Sequence, residues 1–343
     1  MALLTNPADV LVVNAGSTSL KLSVVDGAEN LRPVASLADA VGITAVGHRI
    51  VHGGGHSEPT LIDDRLAQEL EALVELAPLH NAPAVAAIAE ARRLLPDAAH
   101  VAVFDTAFHR TLPDAASTYL LPERFRARGI RRYGFHGLSV AWSATQVVVP
   151  RLVVCHLGGG ASVTAVANGA SADTSMGFTP LEGVPMATRA GSVDPGALVY
   201  LLRHGVDLDE LDRALEHESG LVGLAGTGDV AALERDPSAR ARLALDVYCY
   251  RVAQTVAAMA VALGGLDALV FTAGVGEHSA KVRADVCRRL AFLGVELDEA
   301  ANAGAAGDAD IASASSHVTV RVVVAREDVM IARAVRSVLG SGP

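Results

Sequence analysis

Two arginines set near glycines, and carboxylates at the ends of apolar runs, are the residues of this chain best suited to handling a charged group. Arg49 lies in V-G-H-R-I-V-H-G-G-G, Val46 to Gly55. In a pleated strand Arg49 points to the opposite face from Ile50, and the adjoining glycines let a ligand approach the backbone. A solvated edge strand is the alternative. Arg189 is the only cation between Asp173 and Gly196, a stretch dense in Gly, Pro, Thr and Ser with no sustained period. So long an irregular segment inside a compact domain is usually functional. Asp105 follows the short buried strand Val101 to Phe104, where α/β enzymes place site residues, although a helix N-cap would suit it equally. His136 stands between glycines in R-R-Y-G-F-H-G, and Glu327 and Asp328 open the terminal helix, where acidic residues suit the positive helix end.

These groups must be positioned, and the chain holds two matching devices for that. Val10 to Gly27 reads as an apolar strand, a small polar turn through Asn14 to Ser19, and an alternating strand on Leu20, Leu22 and Val24. Such a turn aims backbone N–H groups and hydroxyls outward, which suits an anionic phosphate, although the Walker spacing is absent. Leu152 to Gly169 repeats the pattern, and with Gly16 set on Gly158, Val24 falls on Val166. Two such hairpins in register predict a duplicated domain with a cleft between the halves. Further along, Asp63 to Glu75 is helical, Pro83 begins a helix to about Leu95, and Leu79 and His80 occupy the Pro-bounded connection. Leu208 to Glu218 and Pro237 to Leu263 are helical by pattern, the second rich enough in alanine to pack closely on a helix or a second subunit. Leu266 to Thr272 is a buried strand entering A-G-V-G-E-H-S, a strand–glycine turn–helix arrangement familiar at nucleotides. Val318 to Val324 is the last strand.

Together the two phosphate-type hairpins, the glycine turn, the arginines and the carboxylates point to phosphoryl transfer between ATP and a small acid. That reaction demands positioning and charge neutralisation. Arginine clamps oxyanions bidentately, which lysine does poorly, and Mg²⁺ needs only one or two protein oxygens.

At 343 residues the chain is long enough for two domains, and 51% hydrophobic with 19% charged residues describes a packed globular protein. A net charge of −10 argues against nucleic-acid and anionic-membrane partners. Cys155, Cys249 and Cys287 fit no metal spacing and read as reduced, buried thiols. The N-terminus lacks a signal-peptide pattern, and Val252 to Leu263 is too short to span a bilayer. A cytoplasmic location is expected.

The motifs V-V-N-A-G-S-T-S-L-K, G-H-R-I-V-H-G-G, P-L-H-N, F-D-T-A-F-H, Y-G-F-H-G, F-T-P-L-E-G, T-R-A-G-S-V-D-P-G and F-T-A-G-V-G-E-H-S stand in the order found in acetate kinases, and the chain resembles that family over nearly its whole length. The resemblance implies an α/β fold of duplicated actin-like ATPase (ribonuclease H-like) domains with an interdomain active-site cleft. It implies reversible transfer from ATP to acetate, giving acetyl phosphate and ADP, and a homodimer. The N-terminal domain would span 1–109, with the terminal helix 328–343 packing back on it, and the nucleotide-binding and dimerisation domain 110–327. By motif, Arg49 and Arg189 would hold the carboxylate and the moving phosphoryl group, Asp105 would orient an arginine, and His136 would stabilise the transition state. Asn14 and Glu327 match Mg²⁺ positions, with Mn²⁺ as the alternative ion. Ser17, Ser19 and Lys21 match the first phosphate loop. His80, His156 and Gly158, Gly159 and Gly160 match further phosphate positions, and Gly274, Val275 and Gly276 the adenosine turn. Val51, Leu79, Phe135 and Pro180 match the pocket of the substrate methyl group. Three departures stand out: a shortened stretch before G-H-R-I-V-H-G-G, H-L-G-G-G where the family has H-L-G-N-G, and A-R-E-D where it more often has N-E-E. Gly159 thereby removes an amide whose lost hydrogen bond costs ~1–3 kcal/mol if the ligand group stays unpaired. Acetate is the expected substrate; propionate or another short-chain acid is the alternative, and a catalytically weakened nucleotide-binding paralogue the reading from a different class.

Overall fold

The computed structural model describes residues 7–16 and 20–340. The chain divides into two compact units, one of residues 1–110, 135–142 and 326–343, the other of 111–134 and 143–325.

The first unit is built on a six-stranded sheet of β1 (Val10–Ala15), β2 (Leu20–Val25), β3 (Leu31–Pro33), β4 (Ala45–Ile50), β5 (Thr60–Leu61) and β6 (Ala99–Phe104), in the order β3-β2-β1-β4-β6-β5. The hairpin partners β1 and β2 are antiparallel, whereas β1, β4 and β6 run parallel. Strand β4 is therefore central, and Arg49 lies not on a solvated edge but between two parallel neighbours. Central strands covered on both faces carry continuous apolar runs, and Val10 to Val13 are at most 1% exposed. One face packs on the helices Asp64–Ala72 and Pro78–Leu94 through Leu11, Val13, Ile50, Leu70 and Ile88. On the other face lies the terminal helix Glu327–Gly340. Gly47 permits that contact, because a Cβ there would lie 2.5 Å from Ile331 Cγ2 and 2.8 Å from Val335 Cγ2.

The second unit repeats the plan with β7 (Arg151–Leu157), β8 (Ala161–Ala167), β9 (Ala170–Thr174), β10 (Ala268–Thr272), β11 (Ala309–Asp310) and β12 (Thr319–Val322). Its order, β11-β12-β10-β7-β8-β9, read backwards matches the first sheet strand for strand. Every pairing direction matches as well. The duplication read from two hairpins thus extends to both whole sheets. Helix Ala239–Leu263 packs on β7, β8 and β9 and ends at Gly264 in the left-handed region, φ 68°.

Four local expectations change. Val10 pairs with Val25 and Leu152 with Val166, so Val166 corresponds to Val25, not Val24. The second turn, 158–160, is one residue shorter than 16–19, and in a hairpin loop length sets register. Asn14 belongs to β1 and not to the turn. Leu79 and His80 lie in the first turn of helix Pro78–Leu94, not in a connection. Pro78 at the start needs no N–H donor, and Pro83 is carried within the helix. The A-G-V-G-E-H stretch is not an open turn but a short helix, Ala273–His278, starting directly from β10.

Candidate active site

In the first unit the parallel strands bring the chemistry to one end of the sheet. Asn14 near the end of β1, Arg49 near the end of β4 and Asp105 just past β6 are neighbours because these three strands are adjacent and parallel. Arg49 donates from Nε to Asp105 Oδ2 at 3.0 Å, with a second, shorter bond from Nη2 to the same oxygen. Its Nη1 donates to Asn14 Oδ1 at 3.1 Å and lies 3.9 Å from Glu327 Oε2. Asn14 Nδ2 in turn lies 3.5 Å from that oxygen, so residues 313 positions apart share one cluster. Burial alone would lower the Arg49 pKa, but the carboxylates of Asp105 and Glu327 outweigh it and raise it. Burial pushes the Asp105 carboxyl above its ordinary value, with Arg49 opposing. Asp105 is completely buried, and its Oδ1 has no hydrogen-bond partner.

His136 is placed beside Asp105 by the backbone. Gly137 N–H donates to the Asp105 carbonyl at 3.0 Å, and a Cβ on Gly137 would lie 2.1 Å from that oxygen. Only glycine tolerates such an approach. His136 itself has φ 58°, a left-handed conformation unfavourable for a non-glycine residue and concentrated at functional sites. Phe135 and Val51 are buried, and the Phe135 carbonyl accepts from His109 Nε2 at 3.0 Å. His80 is half-buried. Its neighbour Asn81 ties the helix to the Arg49 strand's exit, accepting from His52 N–H at 3.1 Å and donating to the His52 carbonyl at 3.0 Å. Lys21 is exposed on β2 in register with Asn14. Ser17 and Ser19 lie outside the described residues, as does the Leu79 side chain.

In the second unit the short turn after β7 is closed by Gly158 N–H donating to the Gly160 carbonyl at 2.9 Å. Nothing lies within 4 Å of a Cβ built on Gly159, so the missing amide leaves open space and no filled substitute. Strand β10 pairs with β7, setting Thr272 opposite His156, which is buried. Helix Ala273–His278 begins there with Ala273 at φ 65°. The two glycine elements line one cavity of about 260 Å³ through Gly158, Gly159, Gly274 and Val275, with Asp229 and Glu234 on its wall. Gly276 is turned inward instead, and its carbonyl accepts from the buried Arg283 at 2.9 Å.

Arg189, 12% exposed at its side chain, donates from Nη1 to the carbonyl of buried Pro180 at 3.1 Å. Its Nε lies 3.7 Å from Glu216 Oε2. Burial lowers the Arg189 pKa and Glu216 opposes. The irregular segment around Pro180 is held by Arg132, whose Nη1 donates to the carbonyls of Thr174, Ser175 and Met176 at 2.9–3.0 Å and whose Nη2 meets Glu182 at 2.7 Å. Asn81 and Glu182 stood inside the motifs P-L-H-N and F-T-P-L-E-G and could have been singled out there. Asp229, Glu234 and Glu216 carried no signal, since none stands in one of the family motifs.

Comparison with known proteins agrees with this layout. Residues 28–333 match the acetokinase family. Acetate kinase of a Synechococcus strain is 46% identical over 317 residues, covering 88% of this chain and 78% of the relative. That of Deinococcus deserti is 42% identical, covering 96% and 98%. Among solved structures, Porphyromonas gingivalis acetate kinase superposes with a TM-score of 0.88 at 33% identity, covering 97% and 100% of the two chains. A propionate kinase from Francisella tularensis superposes at 0.89 with 32% identity, covering 96% and 99%. With a match this long, and with its duplicated actin-like sheets, the chain belongs to the acetokinase family.

Proposed function

We propose that this chain is an acetate kinase, transferring a phosphoryl group reversibly between ATP and acetate to give acetyl phosphate and ADP. The observation that carries this is the buried Arg49–Asp105 pair with Asn14 and Glu327 around it. A protein that only bound nucleotide would need no such charged centre, which weighs against the paralogue reading. Arg49, aimed by Asp105, takes the acid's carboxylate, while Val51 and Phe135 offer an apolar wall to its methyl group. Arg189 takes equatorial phosphoryl oxygens, and His136, pinned beside Asp105, donates a hydrogen bond to the charge that develops there. Gly158 and Gly159, in the turn that the Gly160 carbonyl closes, line the cavity for the nucleotide together with Gly274 and Val275.

The residues of the first unit fit a divalent cation. Asn14 Oδ1, the Glu327 carboxylate and the unpartnered Asp105 Oδ1 are hard oxygen donors of the kind Mg²⁺ or Mn²⁺ takes, and such an ion supplies charge neutralisation to the phosphates. No group of three His, Cys, Asp or Glu among the described residues forms a full cage, as expected when water and phosphates complete the shell.

Likeness to a propionate kinase supports the neighbouring reading. One methylene is worth only ~1–3 kcal/mol of discrimination. Comparing kcat/KM for acetate, propionate and butyrate tests it: acetate should lead, and a higher value for propionate would reassign the substrate.

A homodimer is proposed on the helix Pro195–Arg203, which buries none of its residues although Val199, Tyr200, Leu201 and Leu202 are 39–60% exposed. Exposed apolar patches of this kind mark association surfaces. Light scattering should give twice 35.3 kDa, and Tyr200→Glu with Leu202→Glu should give the monomer; an unchanged mass would place the interface elsewhere. No described helix is long and apolar enough to cross a membrane, and the cytoplasm is the proposed location, in keeping with three buried free cysteines.

A further inference from the structure

The helix Leu208–Arg213 does not continue as an α-helix but passes into one π-helical turn, Ala214–Glu218. Single π turns are frequent at functional sites. This one faces Arg189, with Glu216 Oε2 3.7 Å from the guanidinium Nε and both side chains largely buried. The two segments are fastened together through the backbone. Thr188 Oγ1 donates to the Glu216 carbonyl at 2.7 Å, and Ser219 N–H to the Thr188 carbonyl at 2.9 Å. Gly220, at φ 62°, sits where a Cβ would lie 2.2 Å from the Met186 carbonyl oxygen and 2.6 Å from that of Arg189. The turn is thus fixed against the arginine's own backbone.

The contact between the charges is of a particular kind. Arg49 is held by short hydrogen bonds to its carboxylate, but 3.7 Å is too long for a hydrogen bond. Glu216 therefore attracts Arg189 without saturating its donors. The ionisable groups that face this carboxylate are Arg189 itself, Asp212 from the preceding helix and His217 of the same turn.

We propose that Glu216 is a positioning residue for Arg189: it holds the guanidinium in place while no anion is bound and competes with an entering phosphoryl group for it. The inference deepens the proposed function, resting on that reading for the role of Arg189, but the contact can be tested without turnover. Calorimetric titration with inorganic phosphate is the direct test, on the full-length wild type, Glu216→Gln, Arg189→Ala and the double variant. Glu216→Gln should bind phosphate about three- to tenfold more tightly, as expected when a competing carboxylate is removed. The gain should vanish when Arg189 is absent. Glu216→Ala carries the same expectation should glutamine disturb the turn. In turnover with acetyl phosphate and ADP, kcat and KM of Glu216→Gln should both fall, because the anion is held better and aimed worse. Phosphate affinity equal to or weaker than wild type, or a gain that survives Arg189→Ala, overturns the proposal. If the wild type fails to turn over acetyl phosphate, the acetate kinase reading fails, while the phosphate titrations still decide the role of Glu216.

Discussion

Asp105→Asn should lower turnover by about 10²–10⁴-fold while the protein remains folded. The substitution keeps the size of a side chain that is wholly buried, so packing changes little. It removes the charge that receives two hydrogen bonds from Arg49 and replaces one carboxylate oxygen by an amide donor. Arg49 then keeps Asn14 at 3.1 Å and Glu327 at 3.9 Å as partners, a set that holds it in the cluster but no longer fixes the fork. Breaking a buried ion pair also destabilises, by roughly 3–5 kcal/mol, so activity and thermal unfolding should be measured together. A loss of stability with turnover reduced less than about tenfold would make Asp105 a structural anchor instead of part of the transfer centre.

Arg189→Ala should abolish most turnover, by about 10³-fold or more, the range seen when an arginine is removed from a phosphoryl-transfer site. ATP affinity should survive, because Arg189 does not line the cavity formed by Gly158, Gly159, Gly274 and Val275. Its partners, the Pro180 carbonyl and Glu216, are not nucleotide-cavity groups either. Arg189→Lys restores the charge but not the planar fork and should recover only part of the rate. Steady-state kinetics beside equilibrium ATP binding separates the two effects. An unchanged rate would remove Arg189 from the mechanism, and a parallel loss of ATP binding would move it to the nucleotide site.

How much of this could be read in the chain depended on how local the signal was. The apolar runs at Val10 and Leu152, each followed by a small-residue turn, exposed both hairpins and the duplication, because strand period and turn chemistry are written within some fifteen to twenty residues. The one-residue difference between the turns stayed hidden, since small-residue turns of three and of four residues both suit a hairpin and neither announces its length. Pro83 suggested a helix start, yet Pro78 was the better one, and a proline tolerated inside the helix gave no warning. Arg49, Asp105 and Glu327 were identifiable one by one as charged groups at strand or helix ends. That Asn14 reaches Glu327 across most of the chain is a product of sheet order, which no local pattern encodes. Glu216 was invisible for another reason: its apolar spacing is that of an ordinary helix, and a π turn has no composition of its own. Asp229 and Glu234, likewise, become cavity walls only once the helix Val230–Arg235, which Asp229 caps, is placed.

The most direct test of the central claim is to trap acyl phosphate as its hydroxamate, with purified protein, MgATP and acetate, propionate or butyrate in parallel. Hydroxamate should form with acetate, faster than with the longer acids, and should be lost in Asp105→Asn. Absence of product with every acid, from protein that demonstrably binds ATP, would contradict the claim and leave a nucleotide-binding protein without transfer activity.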